Sequence, residues 1–257
     1  MPSDRPLRIS IIGNSVGLRM RPPRKMPSDK TYSERLANAG HQVDNRCKAG
    51  ALLSETFAFI DDELVAGFPD VVIINAGIIE IFPRRTWRRL NNYLVRNYYN
   101  NLVLGRRYQP DAISIRFQLA RIANGFLRRI SRFLRLSWRW ESETGFLSAL
   151  RSICKVLTIE THAHIIVLGV GPVSERFLSE YPSLNAEIDA LNKRMEGLIG
   201  VFGDRAQMIS IKDVIDMENP ESSIPDSIHF SSKGHREIFS EIERRISMIQ
   251  GELKSCC

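Results

Sequence analysis

The chain has 257 residues, 43% of them hydrophobic, enough to bury one α/β core carrying an insertion rather than two separate domains. No run approaches the ~18 uninterrupted apolar residues of a bilayer-spanning helix, which excludes that class. The net charge of +7 belongs to one segment: residues 84–139 hold fourteen Arg, no Lys, one Asp and no Glu, +13 in all, leaving −6 elsewhere, so overall basicity is no argument for nucleic-acid binding.

Residues 7–12, Leu-Arg-Ile-Ser-Ile-Ile, read as a buried strand that stops at Gly13-Asn14-Ser15. A serine delivered into a sharp turn past a strand can be a nucleophile, although Ser and Asn also serve there as simple caps. Residues 19–27, basic and proline-rich, either line the mouth of a site or form a plain surface loop. Residues 31–39 predict a helix capped by Thr31, closed by Gly40, with Leu36 and Ala37 inward. A short strand at 41–45 and the loop Cys47-Lys48-Ala49-Gly50 bring the backbone back toward Ser15, and a helix follows over 54–66.

Residues 70–75, Asp-Val-Val-Ile-Ile-Asn, give the strongest strand signal, apolar on both faces as a central parallel strand requires. Ala76-Gly77-Ile78-Ile79-Glu80 leaves it at the same sheet edge as Ser15. Glu80 is either a second acid or substrate-hydroxyl contact, or the partner of Arg84 or Arg85. Residues 84–140 form an Arg-rich helical insertion, in which apolar residues such as Ile122, Phe126, Ile130 and Phe133 recur at helical spacing between arginines. Three uses compete: a helix docked on the sheet with a solvated basic face, a peripheral anionic membrane contact with Phe126, Phe133, Trp138 and Trp140 dipping in, and, ranked last, nucleic-acid binding.

A helix over 145–160 leads to a strand at 163–169. Gly169-Val170-Gly171-Pro172 lacks dinucleotide spacing and reads as a turn. His162 and His164 read as structural rather than as metal ligands. A helix at 184–201, a strand at 208–211 and a Pro/Ser/Asp-rich segment at 216–225 precede Asp226-Ser227-Ile228-His229, and the last helix spans 232–249 with Ile238, Phe239, Ile242 and Ile246 as its buried stripe. An Asp and a His three apart in a turn can face one pocket, the carboxylate against the ring that takes a serine proton. Cys47, Cys154, Cys256 and Cys257 show no metal spacing; no metal or cofactor is expected. The cysteine usage and the lack of an apolar leader core in residues 1–5 suit a cytoplasmic protein, peripheral to a membrane if the insertion contacts lipid.

The first-strand Gly13-Asn14-Ser15 together with Asp226-x-x-His229 resembles the SGNH (GDSL-like) hydrolase family. The resemblance implies a three-layer α/β/α sandwich with a five-stranded, mostly parallel sheet in flavodoxin-like order 2-1-3-4-5, as a single domain over 1–257. It implies Ser15 as nucleophile, His229 and Asp226 as its partners, and Gly50 and Gly77 as the glycines of the second and third blocks. Asn14 stands where the family more often has Asp, and Ile79 stands where the oxyanion-hole asparagine would be; Asn14 and Glu80 are the remaining candidate contacts. The implied activity is hydrolysis or O-acyl transfer on an acylated glycan or lipid, with a catalytically silent binder of a glycan or anionic lipid surface as the alternative.

Overall fold

The computed structural model describes residues 6–18, 30–48, 50–57, 60, 64–65, 67–85, 87–90, 93–94, 115–134 and 136–255. The basic loop at 19–27 and parts of the 54–66 and 84–140 segments lie outside them. The chain divides into two compact units, Met1–Glu80 with Glu143–Cys257, and Ile81–Ser142.

The first unit is an α/β fold around five strands: β1 (Arg8–Gly13), β2 (Gln42–Asn45), β3 (Val71–Asn75), β4 (His164–Leu168) and β5 (Ala206–Ile209). They run in the order β2-β1-β3-β4-β5, and each neighbouring pair is parallel. All five residues of β3 are buried, which its β-branched composition allows at the centre of a parallel sheet. β2, with Gln42, Asp44 and Asn45 exposed, takes the edge.

The chain crosses one way from β1 to β2 and the other way from β3 to β5, so right-handed crossovers put the connecting helices on opposite faces. On one face α1 (Tyr32–Asn38) packs against the last helix, α10 (Ser232–Ser255); on the other, α5 (Glu143–Glu160) packs between α2 (Leu53–Phe57) and α7 (Leu184–Gly200). α1 starts as expected, in a capping box: Thr31 Oγ1 accepts from Glu34 N–H and Glu34 Oε2 from Thr31 N–H. α10 buries Ile238, Ile242, Ile246 and Ile249, each contributing about 1.5–3 kcal/mol.

Register decides where function can sit. Gly13 pairs with Asn75, Asn75 with Leu168, and Leu168 with Ile209, so the loops after β1, β3, β4 and β5 leave one carboxyl edge together. Gly13 is required there: at φ +130°, a Cβ would lie 1.8 Å from the Asn75 carbonyl oxygen.

Two local expectations need correction. β5 starts and ends two residues earlier than 208–211, because Ser210 turns the chain into α8 (Ile211–Val214) and Ile211 is buried as a helical residue. Ala37 is exposed, since the inward stripe of α1 is Tyr32, Ser33 and Leu36.

The second unit is held by backbone. Arg84 N–H donates to Trp138 O (2.8 Å) and Trp138 N–H returns to Arg84 O (2.7 Å), forming an antiparallel bridge. The Arg84 guanidinium lies over the rings of Phe82 and Trp140, 5.1 and 5.0 Å from their centroids. Trp138 and Trp140 are therefore half-buried and belong to this closure. Between the ends runs α4 (Ile115–Phe133), in which Ser131 is buried and Ala120, Asn124 and Leu127 are half-buried, whereas Ile115, Leu119, Ile122, Phe126, Ile130 and Phe133 are exposed. Ala120, Asn124, Leu127 and Ser131 form its less exposed side, and its other described side chains, the large apolar ones included, are exposed. No helix among the described residues is long and apolar enough to cross a membrane.

Candidate active site

β1 ends at Gly13, and the chain turns through Asn14 into one 3-10 turn, Ser15–Gly17. Asn14 is almost fully buried; its N–H donates to Asn75 O and its Oδ1 accepts from Val16 N–H at 3.1 Å. It caps the turn, and its Nδ2 is buried with no hydrogen-bond partner among the described residues. Ser15 is thereby presented half-buried at the carboxyl edge.

The C-terminal turn meets it. Ser15 Oγ–H donates to His229 Nε2 at 2.9 Å, and His229 Nδ1–H donates to Asp226 Oδ2 at 2.8 Å. Asp226 also organises its own turn, its Oδ1 accepting from the backbone N–H of Ile228 (3.1 Å) and His229 (2.7 Å). The carboxylate keeps the ring proton on Nδ1 and leaves Nε2 facing the serine. Residues 214 positions apart thus form one hydrogen-bonded chain.

Two supports of this turn carry no local sequence signal. Ser227, buried at φ +61°, accepts from Ser174 N–H at 2.8 Å and donates to Ser174 Oγ at 2.9 Å, which holds a backbone conformation rare outside glycine. Ser231 N–H donates to Ser223 O, while Lys233 Nζ donates to Asp216 Oδ2 and Ser222 Oγ, tying the loop to the start of α10.

The other expected residues divide. Lys48 N–H donates to Gly13 O at 2.9 Å, which carries the loop containing Gly50 to the end of β1. Gly50 sits at φ +73°, and its N–H, like that of Ser15, has no acceptor among the described residues. Gly77 and Glu80 turn inward instead. Glu80, 3% exposed, accepts from Leu53 N–H at 2.8 Å and from Gly77 N–H at 3.0 Å, so the carboxylate joins two loops and occupies the Gly77 amide. Ile79 is buried in the single turn α3 (Ile78–Ile81).

Asn75 is likewise held by buried groups. Its Nδ2 donates to the Tyr32 hydroxyl at 3.3 Å and also reaches the Cys47 thiol. Burial pushes the Cys47 thiol up to about 12 and raises the Tyr32 phenol well above its ordinary value, so both stay protonated. Behind the turn, a cavity of about 20 Å³ touching Val16, Asn75, Ile78, Val170 and Phe230 has room for about one water. Among the described residues no group of three or more His, Cys, Asp or Glu is placed to hold a metal ion.

The whole architecture recurs in known structures. A GDSL-like lipase from Bacteroides thetaiotaomicron superposes with a TM-score of 0.56 at 13% identity, covering 94% of this chain and 88% of its own. An acetylxylan esterase from Geobacillus stearothermophilus gives 0.56 at 14% identity, covering 93% and 94%. This chain has the SGNH hydrolase fold. No protein-family model and no curated protein matches the sequence, so the SGNH likeness is carried by three-dimensional form. The Ser15 turn and the Asp226–His229 turn meet at one sheet edge, and Ile79, buried in α3, offers no polar side chain there.

Proposed function

We propose that this chain is a serine-dependent acyl-ester hydrolase or O-acyltransferase acting on an acylated glycan or lipid, with residues 84–140 inserted into a single α/β domain. The reading rests on one observation above the others, the continuous hydrogen-bonded series Ser15 Oγ, His229 Nε2, His229 Nδ1, Asp226 Oδ2. It is consistent with the fold neighbours, which include an acetylxylan esterase and a catalytic serine-to-alanine mutant of that enzyme.

The chemistry follows from the atoms. His229 Nε2 takes the Ser15 hydroxyl proton as Oγ attacks the ester carbonyl, and Asp226 stabilises the imidazolium that forms. The N–H groups of Ser15 and Gly50 donate to the developing oxyanion. Collapse expels the alcohol, which receives its proton from His229, and leaves an acyl-Ser15 ester. Water then regenerates Ser15 in a hydrolase, and a sugar or lipid hydroxyl does so in a transferase. One side-chain donor fewer in the oxyanion hole lowers the rate by about 10²–10³, so turnover is slow.

Ile79 also supports a second reading, a non-catalytic binder of a glycan or anionic lipid head group. A fluorophosphonate probe separates the two, because it labels an activated serine and leaves an inert one untouched. Labelling of the parent and none of Ser15→Ala, with short-ester turnover falling by at least about 10³-fold in the variant, is the expected result. An unlabelled parent, or equal turnover by both proteins, removes the catalytic reading.

A further inference from the structure

The geometry points to the outward face of α4 as an in-plane anchor for an anionic membrane surface. α4 carries Ile115, Leu119, Ile122, Phe126, Ile130 and Phe133 at intervals of three and four residues, which places all six on one stripe roughly 27 Å long at 1.5 Å per residue. A helix of a water-soluble unit normally turns such a stripe inward. Here it faces out: Phe133 is 87% exposed, Ile122 69% and Phe126 65%. Contiguous exposed apolar surface of this kind marks a binding face.

Charge selects the occupant. The α4 sequence Ile-Arg-Phe-Gln-Leu-Ala-Arg-Ile-Ala-Asn-Gly-Phe-Leu-Arg-Arg-Ile-Ser-Arg-Phe contains five arginines and no acidic residue. Helical spacing puts Arg129 on one side of the stripe and Arg116 on the other, with Arg121 and Arg128 farther round; all four are exposed. Two copies of this face laid against each other would align arginine with arginine, which opposes self-association. A sheet of lipid head groups is anionic, flat and apolar a few ångströms beneath its surface. It takes the aromatic and aliphatic side chains below the phosphates while the guanidinium groups stay among them. The helix is too polar to span the bilayer, so it lies in the surface plane. This inference is independent of the catalytic reading: a surface-held protein follows whether or not Ser15 is activated.

The test uses the full chain in flotation with vesicles of mixed phosphatidylglycerol and phosphatidylcholine and, separately, of phosphatidylcholine alone. The parent floats with the anionic vesicles, and raised salt releases it in part. Two variants, Phe126→Ser/Phe133→Ser and Arg116→Gln/Arg128→Gln/Arg129→Gln, each bind at least about tenfold more weakly, with unchanged circular dichroism because the altered side chains are exposed. Failure of the parent to float, equal flotation with both vesicle types, or undiminished binding by the Phe variant overturns the proposal. So does a parent dimer in light scattering that the Phe variant abolishes while neither protein floats, which makes the stripe a self-association face.

Discussion

α10 and α4 read alike in the sequence, each an apolar stripe at helical spacing among charged residues, and the structure uses them in opposite senses. α10 buries Ile238, Ile242 and Ile246 completely or nearly so, and its acids have partners: Glu241 pairs with Arg244 and Arg245 of the same helix, and Glu243 with His41 before β2. α4 turns its stripe outward and holds bases without acids. Periodicity therefore specifies that a helix has an apolar face. It does not specify what covers that face.

The sharpest way to break the comparison is to truncate the two stripes in parallel. Ile242→Ala in α10 is expected to cost about 2–5 kcal/mol of unfolding free energy by urea denaturation, as for other fully buried isoleucines. Ile122→Ala in α4 should stay within about 0.5 kcal/mol, the range of surface changes. Equal losses would mean that the α4 stripe is covered in solution.

A polar pair of changes makes the same contrast on a smaller scale. Glu80→Ala leaves the N–H groups of Leu53 and Gly77 without their buried acceptor and is expected to cost about 1.5–3 kcal/mol, whereas Arg128→Gln on the exposed face of α4 should be silent in the same denaturation assay. Ser227→Ala, which removes the two contacts to Ser174, should cost about 1–2 kcal/mol and lower turnover of a short ester, while Ser227→Gly relieves the positive φ and recovers part of the stability.

The smallest effect is in pH. Hydrogen bonds from Arg244, then Arg245, hold the Glu241 carboxyl down to about 2 against burial. A depressed carboxyl stabilises the fold above the ordinary Glu range and loses that contribution as pH falls through the folded value. Glu241→Gln should therefore lower the urea midpoint slightly and by a constant amount from neutrality to about pH 5, the gap closing toward pH 2. α4 has no carboxyl to titrate, so the helix content of Ile115–Phe133 should be indifferent to the same range.

The strands and the Asp226–His229 turn were legible because each is specified locally, whereas the strand order and the meeting of that turn with Ser15, 214 positions away, came from the family resemblance. The run 7–12 stops at a glycine that a neighbouring carbonyl forces, and β3 is apolar on both faces. Asp226 and His229 are three residues apart, so one turn sets their geometry. What stayed hidden depends on groups far apart in the chain: Ser227 on Ser174, Asn75 on Tyr32, and Glu80 on Leu53. No spacing rule reports a hydrogen bond between positions 53 residues apart. For Glu80, the contacts to Leu53 and Gly77 have no local signal, because the amides it serves belong to backbone.

The Arg84–Trp138 bridge makes the basic segment detachable in principle. Both ends of the intervening chain are already side by side, in antiparallel register, so a tight two-residue hairpin could rejoin them without rethreading any strand. A protein shortened in this way keeps its sheet order and loses twelve of its twenty-eight arginines, and it would migrate toward the anode where the parent moves toward the cathode.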